Sequence, residues 1–282
     1  MNKLILEDYD LNMTLLGGQA FCFDYDEKEN TYYGVTRDKV IKLKLVGSTR
    51  ESVLHWQTYP KKNDIDFIKR YLRLDSDYNK ILKKIKKDEH VKKAIKKYPN
   101  LRLLKQDFEE TLLSFLISSN NNIKSIRKII REMNKRFGKK IKVDGKEFYL
   151  FPETEAIANA KLEDLLECKL GFRAKFIKGA ANHLLKTNLH KKIINISEDN
   201  ARSSLLQING VGEKIADCVL VFSLSFDNVT PLDVWGKRFL VQFYKLNPKM
   251  KYADMRKWTG NYFEGYSAWA GQFLFEYIRH TD

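Results

Sequence analysis

The sequence predicts an α+β protein with an N-terminal antiparallel β-sheet followed by a mainly α-helical body. Residues 1 to about 60 contain short β-rich runs that polar turns separate. Residues 63–137, and the chain from Pro152 onward, repeat apolar residues at the spacing of amphipathic helices. Residues 208–212 form a tight link, with two glycines, between two of these helical patterns.

The β-rich part suits an antiparallel sheet because its runs are short and close together in sequence. Met13 to Leu16 are expected to belong to this region of strands and turns and to lead into Gly17 and Gly18. The predicted strands are Ala20 to Tyr25, Thr31 to Val35 and Val40 to Leu45.

The helical body begins with a strongly apolar helix over Asp107 to Ile117 and an amphipathic helix over Ile123 to Phe137. Residues 138–151 are a basic, turn-rich link that suits a small hairpin. Further short helices are predicted at 153–160, 162–168, 172–186, 198–207, 213–225, 234–245, 253–263 and 266–279. We therefore expect a sheet domain with flanking helices at residues 1–105 and a helical domain at 106–282.

Composition indicates a folded, basic protein. Hydrophobic residues make up 43% of the 282 residues, enough for a full core. The 51 Lys and Arg exceed the 36 Asp and Glu, which gives a net charge of +15. Such a charge favours a polyanionic partner, nucleic acid first, although a lysine-rich solvated surface would produce it too.

The cysteines indicate a reducing compartment, because Cys22, Cys168 and Cys218 are far apart and odd in number. No Cys or His spacing suggests a metal or cluster, so we expect no metal and no cofactor. No window reaches the ~20 apolar residues that span a bilayer. We expect a monomeric cytoplasmic protein without a membrane partner, associated with the nucleoid if it is prokaryotic.

The segment from Leu205 to Arg238 carries the candidate chemistry. Gly210 and Gly212 suit a hairpin that approaches a ligand closely, and the free N–H groups opening the next helix can donate to a phosphate. Lys214 lies in the first turn of that helix. Cys218 is on the same face one turn later, and Asp233 is placed to cap the following helix.

This segment resembles the helix-hairpin-helix, Gly/Pro-rich-loop-Asp superfamily of DNA glycosylases, and most closely the 8-oxoguanine DNA glycosylase/lyase family. That family carries the pattern G-V-G-x-K-x-A-D-C followed by P-x-D, which here spans Gly210 to Cys218 and then Pro231 to Asp233. The resemblance covers most of the chain. It implies a sheet domain joined to a two-part helical body, a helix-hairpin-helix motif at about 198–225, and a cleft between the two helical parts.

The resemblance implies base excision repair of duplex DNA that contains oxidised guanine. Uncharged Lys214 would attack the sugar and form a Schiff base, and β-elimination would then break the strand. Asp233 would stabilise positive charge on the sugar and orient Lys214. Each residue also has an ordinary interpretation: Lys214 as a solvated side chain, Asp233 as a helix cap only, and Cys218 as a small core residue.

The DNA contacts implied by the resemblance begin with the hole left by the extruded base. Asn120 would enter the vacated stack, Phe172 would wedge beside the opposing base, and Arg173 would donate to an opposing cytosine. Trp235 stands where the family has a phosphate-binding His, and its indole N–H can still donate. The expected DNA-binding residues are Asn120, Asn122, Ser125, Phe172, Arg173, Gly210, Gly212 and Trp235.

The base itself would be held between Phe275 and Cys218. In the family, a carbonyl at the Gly18 position accepts from N7–H of the oxidised base, and undamaged guanine lacks that proton. Gly271 aligns where the family often has Gln, and neighbouring Gln272 points about 100° away on a helix. The expected base-pocket residues are Gly18, Gln19, Phe21, Cys218, Gln272 and Phe275.

Two other functions fit parts of this pattern. A monofunctional glycosylase for alkylated bases would use the same hairpin and Asp233, but Lys214 argues against it. A non-catalytic helix-hairpin-helix DNA-binding protein needs neither Lys214 nor Asp233.

Ser125 lies where eukaryotic members of the family have an arginine that also reads the opposing cytosine. Serine is shorter than arginine and cannot donate two parallel hydrogen bonds to the opposing cytosine. We therefore predict only a weak preference for cytosine opposite the lesion. Excision rates on duplexes with each of the four opposing bases measure this preference. Strong discrimination among the four would contradict the prediction.

Overall fold

A computed structural model describes residues 1–47 and 52–280, and it confirms the predicted α+β architecture. Five antiparallel strands form one sheet in the order β1-β5-β4-β3-β2. In the longest pairing, Leu43 lies opposite Trp56 and Leu45 opposite Leu54. The strands are β1 (Asn2–Leu6), β2 (Phe23–Asp26), β3 (Thr31–Val35), β4 (Val40–Gly47) and β5 (Ser52–Tyr59).

The sheet buries one face under two helices, α1 (Leu11–Leu16) and α2 (Ile65–Tyr71). The assignment of Met13 to Leu16 to strands and turns was wrong, because this segment lies in α1. Asp10 caps that helix by accepting from the backbone N–H of Met13 at 2.9 Å, and Leu15 is completely buried against the sheet. A helix this short is hard to recognise from periodicity, since it spans fewer than two turns.

The helical body contains most of the remaining elements, and the hairpin predicted at 138–151 packs against the sheet. That hairpin consists of β6 (Lys140–Val143) and β7 (Lys146–Tyr149). The helices are α3 (Tyr78–Ile85), α4 (Glu89–Lys97), α5 (Phe108–Ile117), α6 (Ile123–Phe137), α7 (Thr154–Asn159), α8 (Leu162–Glu167), α9 (Ala174–Thr187), α10 (Leu189–Lys192), α11 (Glu198–Leu206), α12 (Glu213–Phe222), α13 (Val234–Tyr244), α14 (Tyr252–Tyr262) and α15 (Ser267–Arg279), with a 3-10 turn at Gly171–Arg173.

Two central helices, α5 and α12, form the middle of the body. All ten residues of α5 and eight of the ten in α12 are buried. The rings of Phe115 and Phe222 stack between them with centroids 5.5 Å apart. This packing holds α5 against α12, and Ser118, immediately after α5, contacts Lys214 at the start of α12, where the predicted hairpin lies.

Helices α3 and α4 pack on the helical body although they precede residue 105. Ile81 and Val91 belong to the same apolar core as α5 and α12, and α4 lies against α15. The division at residues 105 and 106 stays a prediction.

One largely buried ion pair ties the segment after α2 to the segment after α12. Arg73 donates to both carboxylate oxygens of Asp227, at 2.8 and 2.9 Å, and its side chain is 9% exposed. Its guanidinium also lies 5.0 Å from the Trp269 ring centroid.

We expect Arg73→Met to lower the free energy of unfolding by about 3 kcal/mol, because it leaves the Asp227 charge unpaired in a partly buried site. Urea denaturation measures this loss. The control is Arg131→Met, which breaks an ion pair to Asp24 whose side chains are 58% and 60% exposed; its cost should be below about 1 kcal/mol. Equal losses in the two variants would show that burial of the Arg73 pair is unimportant.

Candidate active site

The predicted catalytic residues share one open cavity in the helical body. Its volume is about 820 Å³, and Lys214, Cys218 and Asp233 all line it. The loop between α5 and α6, the start of α12, the start of α13 and one face of α15 form its walls. Lys214 and Asp233, which are 19 positions apart in the chain, therefore line the same cavity, and its volume is that of a ligand-binding site.

Lys214 is placed by the start of α12. The helix follows Gly212, which has no side chain to cap it, so no capping side chain occupies the first backbone N–H groups. The half-buried Lys214 Nζ donates to Ser118 Oγ at 3.2 Å and lies 5.1 Å from the Phe115 ring centroid. The amine is thus directed toward the end of α5 and along the cavity wall.

Asp233 is held by the start of α13, as the sequence predicted. One carboxylate oxygen accepts from the backbone N–H of Gly236 at 2.9 Å, so Asp233 is the N-cap. A cap fixes the carboxylate at the cavity wall while its remaining lone pairs can act on a ligand. The half-buried Trp235 follows on the same wall.

Cys218 presents a neutral thiol to the cavity. Burial raises its pKa to about 11, and the nearby Lys214 only partly opposes that rise. The side chain is 2% exposed. These properties suit an apolar contact surface and do not suit a thiolate nucleophile.

Most of the predicted base pocket lines the cavity, with one exception. Gly18, Phe21, Gln272 and Phe275 are on its walls. Gln19 is not: its amide nitrogen donates to the carbonyls of two other segments, and its amide oxygen accepts from a backbone N–H at 2.8 Å. The expectation that Gln19 contacts the base is therefore corrected, because every amide atom is already used in holding the loop that carries Gly18.

Gly271 has no room for the glutamine that the family often has there. A Cβ atom at this position would lie 2.6 Å from Thr230 Cγ2. The neighbouring Gln272 is 7% exposed and lines the cavity. Its Nε2 is buried and has no hydrogen-bond partner among the described residues.

The asparagine turn between α5 and α6 forms one rim of the cavity. Asn120 has a positive φ of 50°, and both Asn120 and Asn122 line the cavity. Asn122 caps α6 by accepting from the backbone N–H of Ser125 at 2.9 Å. Arg173 reaches across and donates to the carbonyls of Ser119 and Asn120 at 2.6–2.9 Å. In this structure Arg173 braces the turn, a role the sequence did not reveal.

Phe172 and the hairpin glycines are placed on the surface. Phe172 is 54% exposed, which is unusual for a large apolar side chain and leaves it accessible. Gly210 has a φ of +92°, and a Cβ there would lie 2.7 Å from the Phe176 ring. Gly212 is exposed with nothing within 4 Å of its Cβ position. The hairpin can therefore contact a partner directly through its own backbone, because no side chain at these two positions stands in the way.

Many residues of the cavity lining were not predicted, among them Phe115, Ser118, Thr230 and Arg279. Ser118 opens the S-S-N-N-N run, so its position beside the turn was a usable signal. Arg279 follows Phe275 by four residues on α15, and its guanidinium lies 5.0 Å from that ring. Thr230 and Phe115 carry no signal in the sequence, because their roles depend on contacts between distant segments.

Neither a metal cluster nor a spanning helix is found in residues 1–47 and 52–280. No three or more His, Cys, Asp and Glu side chains there are grouped so that they could hold a metal ion. The helices in these ranges are too short or too polar to cross a lipid bilayer.

Two family models together match most of the chain. Residues 3–112 match the N-terminal domain of 8-oxoguanine DNA glycosylase, and residues 113–261 match the HhH-GPD superfamily of base excision DNA repair proteins. The chain belongs to the 8-oxoguanine DNA glycosylase family. The family resemblance predicted from the hairpin segment is thereby confirmed.

Known members of this family are similar along most of their length. The N-glycosylase/DNA lyase of Saccharomyces cerevisiae is 29% identical over 254 residues, which cover 83% of this chain and 68% of the yeast protein. The structure of MBOgg1 with a low-affinity DNA ligand is 33% identical, with a TM-score of 0.90 over 99% of this chain and 96% of that one. The Clostridium acetobutylicum 8-oxoguanine glycosylase/lyase, solved with duplex DNA containing cytosine opposite 8-oxoG, is 29% identical, with a TM-score of 0.89 over 99% of this chain and 95% of that one.

Arg279 of the cavity wall pairs with Glu276, a buried carboxyl group whose charge depends on pH. Burial raises the pKa of Glu276 from its ordinary 4.5 to about 7, against the opposing effect of Arg279. Arg279 donates to Glu276 at 2.7 Å. The folded protein therefore holds this proton more tightly than the unfolded chain does.

We expect Glu276 to favour folding below pH 4.5 and to lose that contribution as pH rises to about 7. Relative to Glu276→Gln, the wild type should lose on the order of 3 kcal/mol of unfolding free energy between pH 4 and pH 8. Denaturation curves of both proteins across that range measure the difference. A difference that stays constant with pH would contradict the assignment.

Proposed function

We propose that this chain is a bifunctional DNA glycosylase and lyase that removes 8-oxoguanine from duplex DNA and then cleaves the strand. The observation that carries the proposal is the shared cavity: Lys214 and Asp233 lie on its walls in a member of the 8-oxoguanine DNA glycosylase family. The yeast relative is named an N-glycosylase/DNA lyase, and the clostridial one an 8-oxoguanine glycosylase/lyase. The proposal extends that pair of activities to this chain.

Lys214 supplies the nucleophile. The lone pair of its uncharged Nζ attacks C1′ of the sugar, the N-glycosidic bond breaks, and the base leaves with its electron pair and takes up a proton. Opening of the sugar ring gives an imine between Nζ and C1′. Loss of a proton from C2′ then expels the 3′ phosphate by β-elimination, and water releases the lysine. Ser118 accepts from Nζ at 3.2 Å and so aims the amine before the attack.

Asp233 acts beside Lys214 without bonding to the sugar. Positive charge develops on the sugar as the glycosidic bond stretches, and a fixed carboxylate stabilises it. The capping bond to Gly236 at 2.9 Å holds the carboxylate in place, so little reorganisation is needed during the reaction.

The extruded base enters the cavity between Cys218 and Phe275. The neutral Cys218 thiol and the Phe275 ring offer two apolar surfaces for stacking. The Gly18 carbonyl is assigned to N7–H, which only the oxidised base carries. Gln272, which lines the cavity, is assigned to the Watson–Crick edge, since Thr230 leaves no space for a side chain at Gly271.

The cavity rim and the hairpin hold the duplex. Asn120, with Asn122 beside it, fills the vacated stack, and Phe172 wedges next to the opposing base. The backbone N–H groups at Gly210 and Gly212, with the Trp235 indole, bind phosphates, and these contacts carry no sequence information. A net charge of +15 supports binding to DNA. Ser125 holds Asn122 in place through its backbone N–H, and Arg173 must release the asparagine turn before it can reach an opposing cytosine. The enzyme acts as a monomer without a metal or cofactor.

The lysine decides between this proposal and its rivals. A monofunctional glycosylase or a non-catalytic DNA-binding module would form no covalent bond to the sugar. Borohydride reduces an imine to a stable amine, so it traps only the lyase.

With duplex DNA containing 8-oxoguanine, we expect borohydride to trap a protein–DNA adduct in the wild type and none in Lys214→Gln. Asp233→Asn should retain DNA binding and excise the base at least about 100-fold more slowly. Lys237→Gln is the control, because Lys237 lines the same cavity and is exposed; it should still form the adduct. An adduct that survives in Lys214→Gln would refute the assignment.

A further inference from the structure

Tyr252 connects the two parts of the chain that carry the candidate catalytic residues. It is the first residue of α14 and is not among the residues that line the cavity. Its hydroxyl donates to Asp217 Oδ2 at 2.7 Å and accepts from the backbone N–H of Leu232 at 3.1 Å. Asp217 lies three residues after Lys214, and Leu232 immediately precedes Asp233. One oxygen atom therefore bridges the Lys214 helix and the Asp233 segment.

The Asp217 end of this bridge is firmly anchored. Asp217 is completely buried in α12, and it forms an ion pair with Arg202 of α11. Arg256, one turn after Tyr252 in α14, approaches the same carboxylate at 3.9 Å. A buried carboxylate with this many partners has little freedom to move, so the Tyr252 hydroxyl it accepts from is fixed as well.

The Leu232 end restrains a connection that is otherwise irregular. Residues 223–233 join α12 to α13 without helix or strand. Leu232 is 2% exposed, and its N–H group would be buried without a partner if the hydroxyl were absent. The bridge therefore sets where the segment entering Asp233 lies relative to α12.

We infer that Tyr252 is a positioning residue that sets the geometry between Lys214 and Asp233. The inference rests on the proposed function. Errors of about 1 Å between reacting groups can slow a reaction on the order of 100-fold. Lys214 and Asp233 are joined along the chain only through residues 215–232, so the covalent backbone alone does not fix the distance between them. Because Asp233 serves base expulsion, loss of the bridge should slow excision more than it slows imine formation at a sugar that already lacks its base.

The test is Tyr252→Phe, which keeps the ring and removes only the bridging oxygen. We expect single-turnover excision of 8-oxoguanine at saturating enzyme to fall at least tenfold. Duplex affinity and borohydride trapping on preformed abasic DNA should stay within about threefold of wild type. The matched control is Tyr78→Phe, since the Tyr78 hydroxyl donates to the Leu101 carbonyl at 3.0 Å away from the site; it should lose thermal stability without losing excision rate.

Two results would overturn the inference. Excision by Tyr252→Phe at the wild-type rate would show that the bridge does not position anything. A parallel loss of excision, abasic-site trapping and affinity would show a general structural defect. If the proposed function itself were wrong, the wild type would trap no adduct on abasic DNA. That outcome distinguishes a failure of the proposed function from a failure of the inference about Tyr252.

Discussion

The structure depends on one constraint: α12 must be buried along most of its length and still present its first turn to an open cavity. Eight of its ten residues are removed from solvent, which fixes the helix as rigidly as any part of the core. Lys214 lies just before the buried stretch begins. The flexible Lys214 side chain is thereby attached to a rigid helix, so only the torsions of the side chain itself remain free.

The walls opposite α12 are built from less regular chain, and each is braced by polar contacts. Arg173 holds the asparagine turn through two backbone carbonyls. Gln19 holds the Gly18 loop through three backbone groups. Buried polar side chains that are satisfied in this way specify one loop conformation, and the cavity keeps its shape although much of its rim is not helix or strand.

The cavity wall formed by α15 is crowded at one glycine. Thr230 occupies the volume that a side chain at Gly271 would need, while Gln272 is left with an unpartnered amide. Thr230, in the segment before Asp233, therefore excludes a side chain at Gly271 of α15, and Gln272 is the amide that lines this wall of the cavity.

The sequence by itself determined the fold class, the order of the main elements and the family, because helix and strand periodicity, the hairpin glycines and the Lys–Asp spacing are local features. It also predicted that Asp233 caps α13. The short helices α1 and α10 escaped it, since few residues leave little periodic signal. Only the tertiary structure decided that Gln19 faces the backbone, that Arg173 braces a turn, and that Tyr252 joins two segments. Each of those facts depends on which distant groups meet, and one sequence contains no direct record of such contacts.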